Sequence, residues 1–251
     1  MKMKTLILAG AAVLFAAQPS SAVSTQASPA HVDISLFYHG APIEITGQGN
    51  PGEEVIVKVT AAPEAIHLKY KGKAGGIFWM KLGTLIFDNL PGTYLLATSG
   101  SIDNILSSAE QEKEAVGLKA LQKQAKIKAD DGELPAGDWF QEFIDFKRGE
   151  KLYSLQEGAV KVAANGTYQY TLNWPYQAPP GTYTVETITA KNGQVTGRSE
   201  AAITVQMTGI VAKLEEMSTN NRAMYGILSI LVALAAGFGV GMIFKKGGGA
   251  H

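Results

Sequence analysis

The sequence contains no cysteine among its 251 residues, and its 22 basic residues balance 22 acidic ones. The lack of cysteine excludes disulfides, thiolate metal ligands, cysteine nucleophiles and the acceptor cysteine of a lipoprotein. The lack of net charge, and of any block of like charges, argues against nucleic-acid binding. Because 46% of the residues are hydrophobic, the chain can still bury the core of one or two domains by ordinary packing.

The N-terminus is typical of a secretory signal. Lys2 and Lys4 precede an uncharged run from Thr5 to Ala17, and small residues end at Ala22. An apolar run of this length is too short for a bilayer, which needs about 20 residues. We therefore predict a signal peptide over residues 1–22, cleaved after Ala22.

The C-terminal region has the pattern of a membrane anchor. Residues 224–244 are uncharged over about the thickness of a hydrocarbon core, and Lys245 and Lys246 follow at once. This pattern predicts a transmembrane helix and a cytoplasmic tail over residues 245–251. Together with the signal peptide it places the body outside the cytoplasm, which in a bacterial cell is the periplasmic side of the inner membrane. We also expect a juxtamembrane helix over residues 209–223, which starts near Ile210 and continues unbroken into the membrane.

Two glycines form a candidate packing face on the membrane helix. Gly237 and Gly241 lie four residues apart, as in small-xxx-small helix pairs, although glycine is also common in membrane helices generally. The pattern favours association with a membrane protein or with a second copy of the chain.

The exported body, residues 23–208, changes from β to helical and back to β. Short runs bounded by Gly, Pro or Asn predict strands over residues 32–37, 42–46, 54–60, 65–70, 77–80, 84–87 and 94–98. A helical stretch over about residues 101–153 contains two predicted helices. The first runs from 102 to about 115 and continues, after Gly117, over 118–127, and the second covers 138–151 and is capped by Asp138. Further strands are predicted at 160–163, 167–174, 183–190 and 195–205, with an Asn192-Gly193 hairpin turn.

This order predicts a mainly β protein, with an Ig-like β-sandwich ectodomain, a helical insertion and one C-terminal transmembrane helix. Four late strands are too few for a separate sandwich. They form either a second small lobe or, as we prefer, one interlocked ectodomain with the N-terminal strands.

A local basic patch is the candidate binding surface. Lys69, Lys71 and Lys73 alternate along one predicted strand, Trp79 and Lys81 follow, and no acidic residue occurs between Ala65 and Leu85. Residues 23–208 as a whole contain 16 basic and 20 acidic residues. The patch suits a small anion or an acidic partner surface. The alternative is that the lysines protect an edge strand against pairing.

Acidic and aromatic residues around the second predicted helix allow another interpretation. The stripe of Trp139, Phe143, Phe146 and Tyr153 favours core packing over a ligand cage. A carboxylate-based hydrolase would use Asp138, Glu142 and Asp145, although charges at this helical spacing usually face solvent. A solvated loop is likewise favoured over a cation site for the acidic group Asp130, Asp131 and Glu133.

Several motifs carry a family resemblance when they are taken as an ordered set. They are residues 71–79 (KGKAGGIFW), the Pro-Gly-Thr-Tyr turn at 91–94, Leu152-Tyr153, the Pro-Pro-Gly-Thr-Tyr-Thr-Val hairpin with Asn192-Gly193, and Tyr225-Gly226. In these the chain resembles the transmembrane protein family first described from alphaproteobacteria. The resemblance implies an uncharacterised envelope protein with a signal peptide and a C-terminal membrane helix, without assigned activity or catalytic residues.

The residues themselves favour a protein that binds rather than catalyses. The sequence has no GxSxG elbow, no HExxH and no Gly-rich phosphate loop. We predict a non-enzymatic accessory or adaptor protein, without cofactor, which presents its Ig-like domain to a membrane partner such as a transporter. One alternative is a periplasmic binding protein for a small anion or copper. The copper site would need cleavage after Ala30, so that His31 could bind the metal together with Asp33 and either His39 or His67.

Overall fold

The computed structural model describes residues 23–74, 77–130 and 132–245. The predicted signal peptide, the tail from Lys246 onward, Gly75, Gly76 and Asp131 lie outside the described residues. The strands in chain order are β1 Ser24–Ser28, β2 His31–Ile34, β3 Ala41–Gln48, β4 Glu54–Ala61, β5 Ile66–Ala74, β6 Phe78–Asp88, β7 Tyr94–Thr98, β8 Lys126–Ala129, β9 Tyr153–Gln156, β10 Lys161–Val162, β11 Thr167–Trp174, β12 Gly181–Lys191 and β13 Gln194–Met207. The helices are α1 Ile102–Ile105, α2 Ser108–Lys113, α3 Leu118–Gln124, α4 Trp139–Gly149, α5 Gly209–Asn220 and α6 Arg222–Lys245.

Two sheets form the body of the protein. One has the order β1-β3-β11-β10 and the other β2-β13-β12-β4-β7-β9. The N-terminal segment contributes to both, because β1 pairs antiparallel with β3 whereas β2 pairs parallel with β13. In variable-type immunoglobulin domains a four-stranded sheet packs against a larger sheet that carries additional strands. The two sheets of this protein have the same arrangement. The predicted mainly β, Ig-like sandwich is confirmed.

The late strands complete the sandwich around the helical stretch. β11 pairs with β3 over eight residue pairs, and β12 pairs with β4 over eight more. The two β stretches of the sequence therefore belong to one interlocked sandwich rather than to two lobes.

Alternating side chains fill the space between the sheets. In β11 every second residue is buried, namely Tyr168, Tyr170, Leu172 and Trp174, whereas the residues between them are exposed. Such alternation leaves one polar face toward water. Tyr183, at the start of β12, packs edge-on against Trp174 and donates its hydroxyl hydrogen to the Pro179 carbonyl at 2.6 Å. This is the tyrosine corner typical of Ig-like folds.

The helical insertion covers the outer face of the larger sheet. Lys58 of β4 forms an ion pair with Glu186 at 2.7 Å and donates to the Glu114 carbonyl of the insertion, also at 2.7 Å. All five residues of β7 are buried, because this strand lies between the insertion and the core. A strand with both faces covered loses the alternation of an exposed strand.

The structure corrects the predicted insertion in three places. The first predicted helix is divided into α1, α2 and α3, and α1 is separated from α2 because the amide of Ser107 bonds to the Gly193 carbonyl and its hydroxyl caps α2. This predicted helix also ends at Gln124 rather than Ile127, and residues 126–129 form β8, which pairs with β6. The second predicted helix ends at Gly149 rather than Lys151, and Tyr153 begins β9. Strand pairing here overrides helix propensity.

Three strand predictions were also wrong, and one strand near the N-terminus was not predicted. β1 was missed, and the strand predicted over residues 32–37 ends at Ile34. The strands predicted at 77–80 and 84–87 are one strand, β6. Gly83 does not break it, because the glycine makes room for Tyr70: an added Cβ would lie 2.8 Å from the Tyr70 ring.

Below the sandwich the chain forms two consecutive helices. The unbroken helix that was predicted is interrupted at Asn221, where φ is −134° and ψ is 57°. Residues Arg222–Met242 of α6 are apolar and long enough to cross a membrane, and none of this span is buried against the rest of the chain.

Candidate functional site

The hairpin of β5 and β6, here called the arm, contains all five predicted binding residues. Lys71 lies directly opposite Lys81, and Lys73 lies opposite Trp79. Directly opposed residues of an antiparallel pair share a face, and Lys69 lies two residues along the same strand. The structure therefore assembles one basic face from Lys69, Lys71, Lys73, Trp79 and Lys81.

The charges of the basic face are only partly compensated. Lys73 Nζ lies 5.8 Å from the centre of the Trp79 ring, within cation–π range. A backbone hydrogen bond from Thr84, and to a smaller extent the charge of Lys81, hold the pKa of Asp130 below its usual range. Within the described residues no carboxylate forms an ion pair with Lys69, Lys71 or Lys73.

The position of the arm also fits the edge-strand interpretation. The arm belongs to a three-stranded sheet of order β5-β6-β8, so that β5 is an edge strand. Lysines along such an edge discourage pairing with another chain. Exposure of the basic face is thus compatible with protection as well as with binding.

Sequence reasoning overlooked the apolar end of the arm. Ile77, Phe78 and Trp79 are each at least 70% exposed, and Met80 and Leu82 are also exposed. We call these five residues the arm tip. The signal was present in the sequence, since the run Ile-Phe-Trp-Met lacks the polar alternation of a half-buried strand.

A groove of about 480 Å³ separates the base of the arm from α4. Its floor is aromatic: Trp139 lies 5.4 Å from Tyr70, and Phe143 stacks on Phe87 at 4.6 Å. Its lining residues include, besides these four, His67, Lys69, Lys71, Glu142 and Phe146. Phe143 and Tyr153 are buried as the core-packing interpretation predicted, whereas Phe146 stays exposed.

Two of the three candidate catalytic carboxylates have structural partners. Asp138 caps α4 by accepting a hydrogen bond from the Gln141 amide at 3.1 Å, as predicted. Asp145 accepts from the Gln141 side chain at 2.9 Å. Glu142 alone lines the groove. The three residues therefore do not converge on one point of a cleft.

The histidines proposed for copper are dispersed. His31 belongs to β2 and His67 to β5, and the ring of His39 hydrogen-bonds the Phe37 carbonyl at 2.6 Å. Among the residues that the structure describes, no three His, Asp or Glu side chains are grouped so as to hold a metal ion.

The membrane helix carries a longer small-residue stripe than was predicted. Gly237 and Gly241 line one shallow depression together with Ala233, which lies one turn earlier. Nothing lies within 4 Å of an added Cβ at either glycine, so this face of α6 is open. The stripe allows a second helix to approach closely.

A family model described as "Putative transmembrane protein (Alph_Pro_TM)" matches residues 22–246. The chain belongs to this family. The match extends over the sandwich, α5 and α6, and agrees with the candidate membrane span in α6. The family therefore supports lipid bilayer association.

Among solved structures, the chain is similar to domain 1 of VCBP3 from Branchiostoma floridae. The identity is 12%, the alignment covers 75% of this chain and 96% of that one, and the TM-score is 0.22. No curated protein matches the chain. The Ig-like assignment rests on the strand order and the tyrosine corner described above.

Proposed function

We propose that this protein is a non-enzymatic, single-pass accessory protein of the bacterial envelope. It holds an Ig-like domain outside the cytoplasm and binds a membrane protein, for which a transporter is the candidate class. The charged start at Lys2 and Lys4 and the two lysines that follow the apolar span, Lys245 and Lys246, support this orientation.

The observation that carries the proposal is that the sandwich is connected directly to a membrane helix whose span is not buried against the rest of the described chain. β13 leads through Thr208 into α5 and then α6, and the Thr208 amide is held by the Ile34 carbonyl at 2.9 Å. The ectodomain is thus confined close to the bilayer, where encounter with another membrane protein is two-dimensional. The open stripe of Ala233, Gly237 and Gly241 is the contact we assign to the partner helix.

Crosslinking in intact membranes tests this assignment. A photo-reactive residue is placed in α6, and the products are identified by mass spectrometry in the unchanged chain and in variants. Leucine at Gly237 and Gly241 fills the stripe and keeps a second helix from approaching closely, so we expect about a fivefold loss of the crosslinked partner, which corresponds to about 1 kcal/mol. Gly239→Leu, on the opposite side of the helix, is the matched control and should leave the crosslink unchanged.

Two results would contradict the proposal. The first is recovery of the protein alone and monomeric from intact membranes. The second is turnover of a substrate by the purified protein that is abolished by Glu142→Gln, which would replace the adaptor function by the hydrolase alternative.

A further inference from the structure

The arm continues two central strands of the sandwich. Thr60 of β4 pairs with Tyr94 of β7, Pro63 bridges Pro91, and Ile66 pairs with Phe87. The register therefore runs almost unbroken from the larger sheet into the arm. The arm is an extension of the β4–β7 pair beyond the end of that sheet.

The membrane helix leaves from this same end. Ala61, the last residue of β4, pairs with Tyr183, and Tyr183 pairs with Ile203 near the end of β13. β13 then continues into α5. The end of β2, which runs parallel to β13, also lies here and is followed by the exposed Leu36 and Phe37. The arm and the membrane anchor thus both project from one end of the sandwich.

The dimensions allow the arm to reach the bilayer. The nine residues of β5 span about 30 Å at 3.3 Å per residue. The twelve residues of α5, which separate the sandwich from α6, span about 18 Å. The arm is therefore at least as long as the spacer that holds the sandwich above the membrane.

The chemistry of the arm matches an anionic lipid surface. A contiguous exposed apolar patch indicates a contact with another phase or molecule, and tryptophan favours the membrane–water interface. Lys71 and Lys81 oppose each other although like charges across a strand pair repel, and an anionic surface removes this cost. Lysine stems can follow the apolar tip while their ammonium groups reach lipid phosphates.

We propose that the arm tip inserts into the headgroup region of the anionic bilayer that holds α6. Phe78 and Trp79 enter the interface, and Lys71, Lys73 and Lys81 bind the phosphates around them. The sandwich is then held at two points, α6 and the arm, which sets its orientation toward the membrane. The inference goes beyond partner binding and requires only that α6 spans the bilayer.

The absence of native cysteine allows a site-specific test with the full chain. Phe78→Cys carries an environment-sensitive fluorophore, and the protein is reconstituted into nanodiscs of phosphatidylcholine, with or without phosphatidylglycerol. We expect a blue-shifted emission and protection from acrylamide that both require phosphatidylglycerol. Lys191→Cys, exposed at the β12–β13 turn at the other end of the sandwich, is the control and should remain accessible in both.

A charge-matched pair of variants tests the role of the lysines. Replacing Lys71, Lys73 and Lys81 by glutamine should lower the equilibrium constant for docking by about 100-fold, since each lysine near an anionic surface contributes roughly fivefold. The same substitution at Lys119, Lys161 and Lys191, all exposed elsewhere, should have little effect.

Three outcomes overturn the inference. Full accessibility of position 78 to acrylamide in both kinds of nanodisc shows that the tip does not enter the lipid. Shielding in detergent that rises with protein concentration identifies a second copy as the occupant. Shielding in native membranes but not in nanodiscs identifies a protein partner. Because the nanodiscs contain no other protein, the result is independent of the crosslinking test of the proposed function.

Discussion

At the scale of single residues, Tyr94 joins the insertion to the sandwich. Its hydroxyl donates to the Ala115 carbonyl at 2.9 Å and accepts from the Gly117 amide at 2.8 Å, and the side chain is buried. Both groups belong to the turn between α2 and α3. One phenol thus satisfies a buried donor and a half-buried acceptor of the same turn.

Tyr94→Phe is expected to reduce the free energy of unfolding by about 1–3 kcal/mol, because the Gly117 amide loses its partner in the interior. The control is Tyr153→Phe, which removes one hydrogen bond to the half-buried Pro91 carbonyl. Its cost should be smaller, since water can reach that carbonyl. Denaturant unfolding of the full chain in detergent, followed by near-ultraviolet circular dichroism, measures both; equal losses would contradict the assigned role of Tyr94.

At the scale of elements, β1 is held to the sandwich across a glycine. The Tyr168 hydroxyl passes Gly47 of β3 and donates to the Ser24 carbonyl at 2.7 Å, while Thr25 bonds the same hydroxyl at 2.8 Å. A Cβ at Gly47 would lie 1.9 Å from the Ser24 oxygen and 2.3 Å from the tyrosine hydroxyl. The lack of a side chain at Gly47 therefore leaves the space through which the Tyr168 hydroxyl reaches the edge strand β1.

Gly47→Ala is expected to displace β1 and to cost about 1–3 kcal/mol of unfolding free energy, as overpacking typically does. Limited proteolysis should then cut faster within β1. The control is Gly149→Ala at the end of α4, where an added Cβ meets nothing within 4 Å. This variant should be neutral or more stable by at most about 1 kcal/mol. Unchanged stability and proteolysis of Gly47→Ala would contradict this role of Gly47.

The arm shows why element boundaries were hard to predict. Gly72 and Gly83 resemble turn residues, yet each accommodates a neighbouring side chain: Leu82 lies over Gly72 and Tyr70 over Gly83. A cross-strand contact of this kind depends on register, which a local pattern does not contain. The basic alternation was recognised, whereas the apolar run of the arm tip was overlooked although it is visible in the sequence.

At the scale of the whole molecule, several buried tyrosines make the fold sensitive to alkali. Burial raises the pKa of Tyr183 to about 12, and burial also raises the pKa of Tyr94 and of Tyr153. In the unfolded chain these phenols lose their protons near pH 10. Between pH 10 and 12 the folded state therefore holds protons that the unfolded state has released, so the free energy of unfolding falls as the pH rises.

We expect the free energy of unfolding not to depend on the ionisation of these tyrosines below about pH 10 and to decrease above that pH. Tyr183→Phe should reduce the slope between pH 10 and 12 by about 1.4 kcal/mol per pH unit, the effect of one proton. Tyr176→Phe removes an exposed phenol and serves as the control. Unfolding free energies measured across this range would refute the assignment if the two variants had equal slopes.

Some features of this protein follow from the sequence by itself. A span of apolar residues that matches the bilayer predicts α6 because lipid cannot satisfy backbone polar groups otherwise. Short alternating runs bounded by turn residues predict the sandwich, and the ordered motifs identify the family. These signals are local in the chain, or depend only on length and composition.

Tertiary structure decided the features that depend on contacts between residues far apart in the sequence. The pairing of β3 with β11 closes the sandwich around the insertion, and β8 forms as a strand because β6 offers it a partner. The pairing of β12 with both β4 and β13 places the arm and α5 at one end of the larger sheet, although more than 120 residues separate them in the sequence. Register and sheet order are cooperative choices among many segments, so no single segment encodes them.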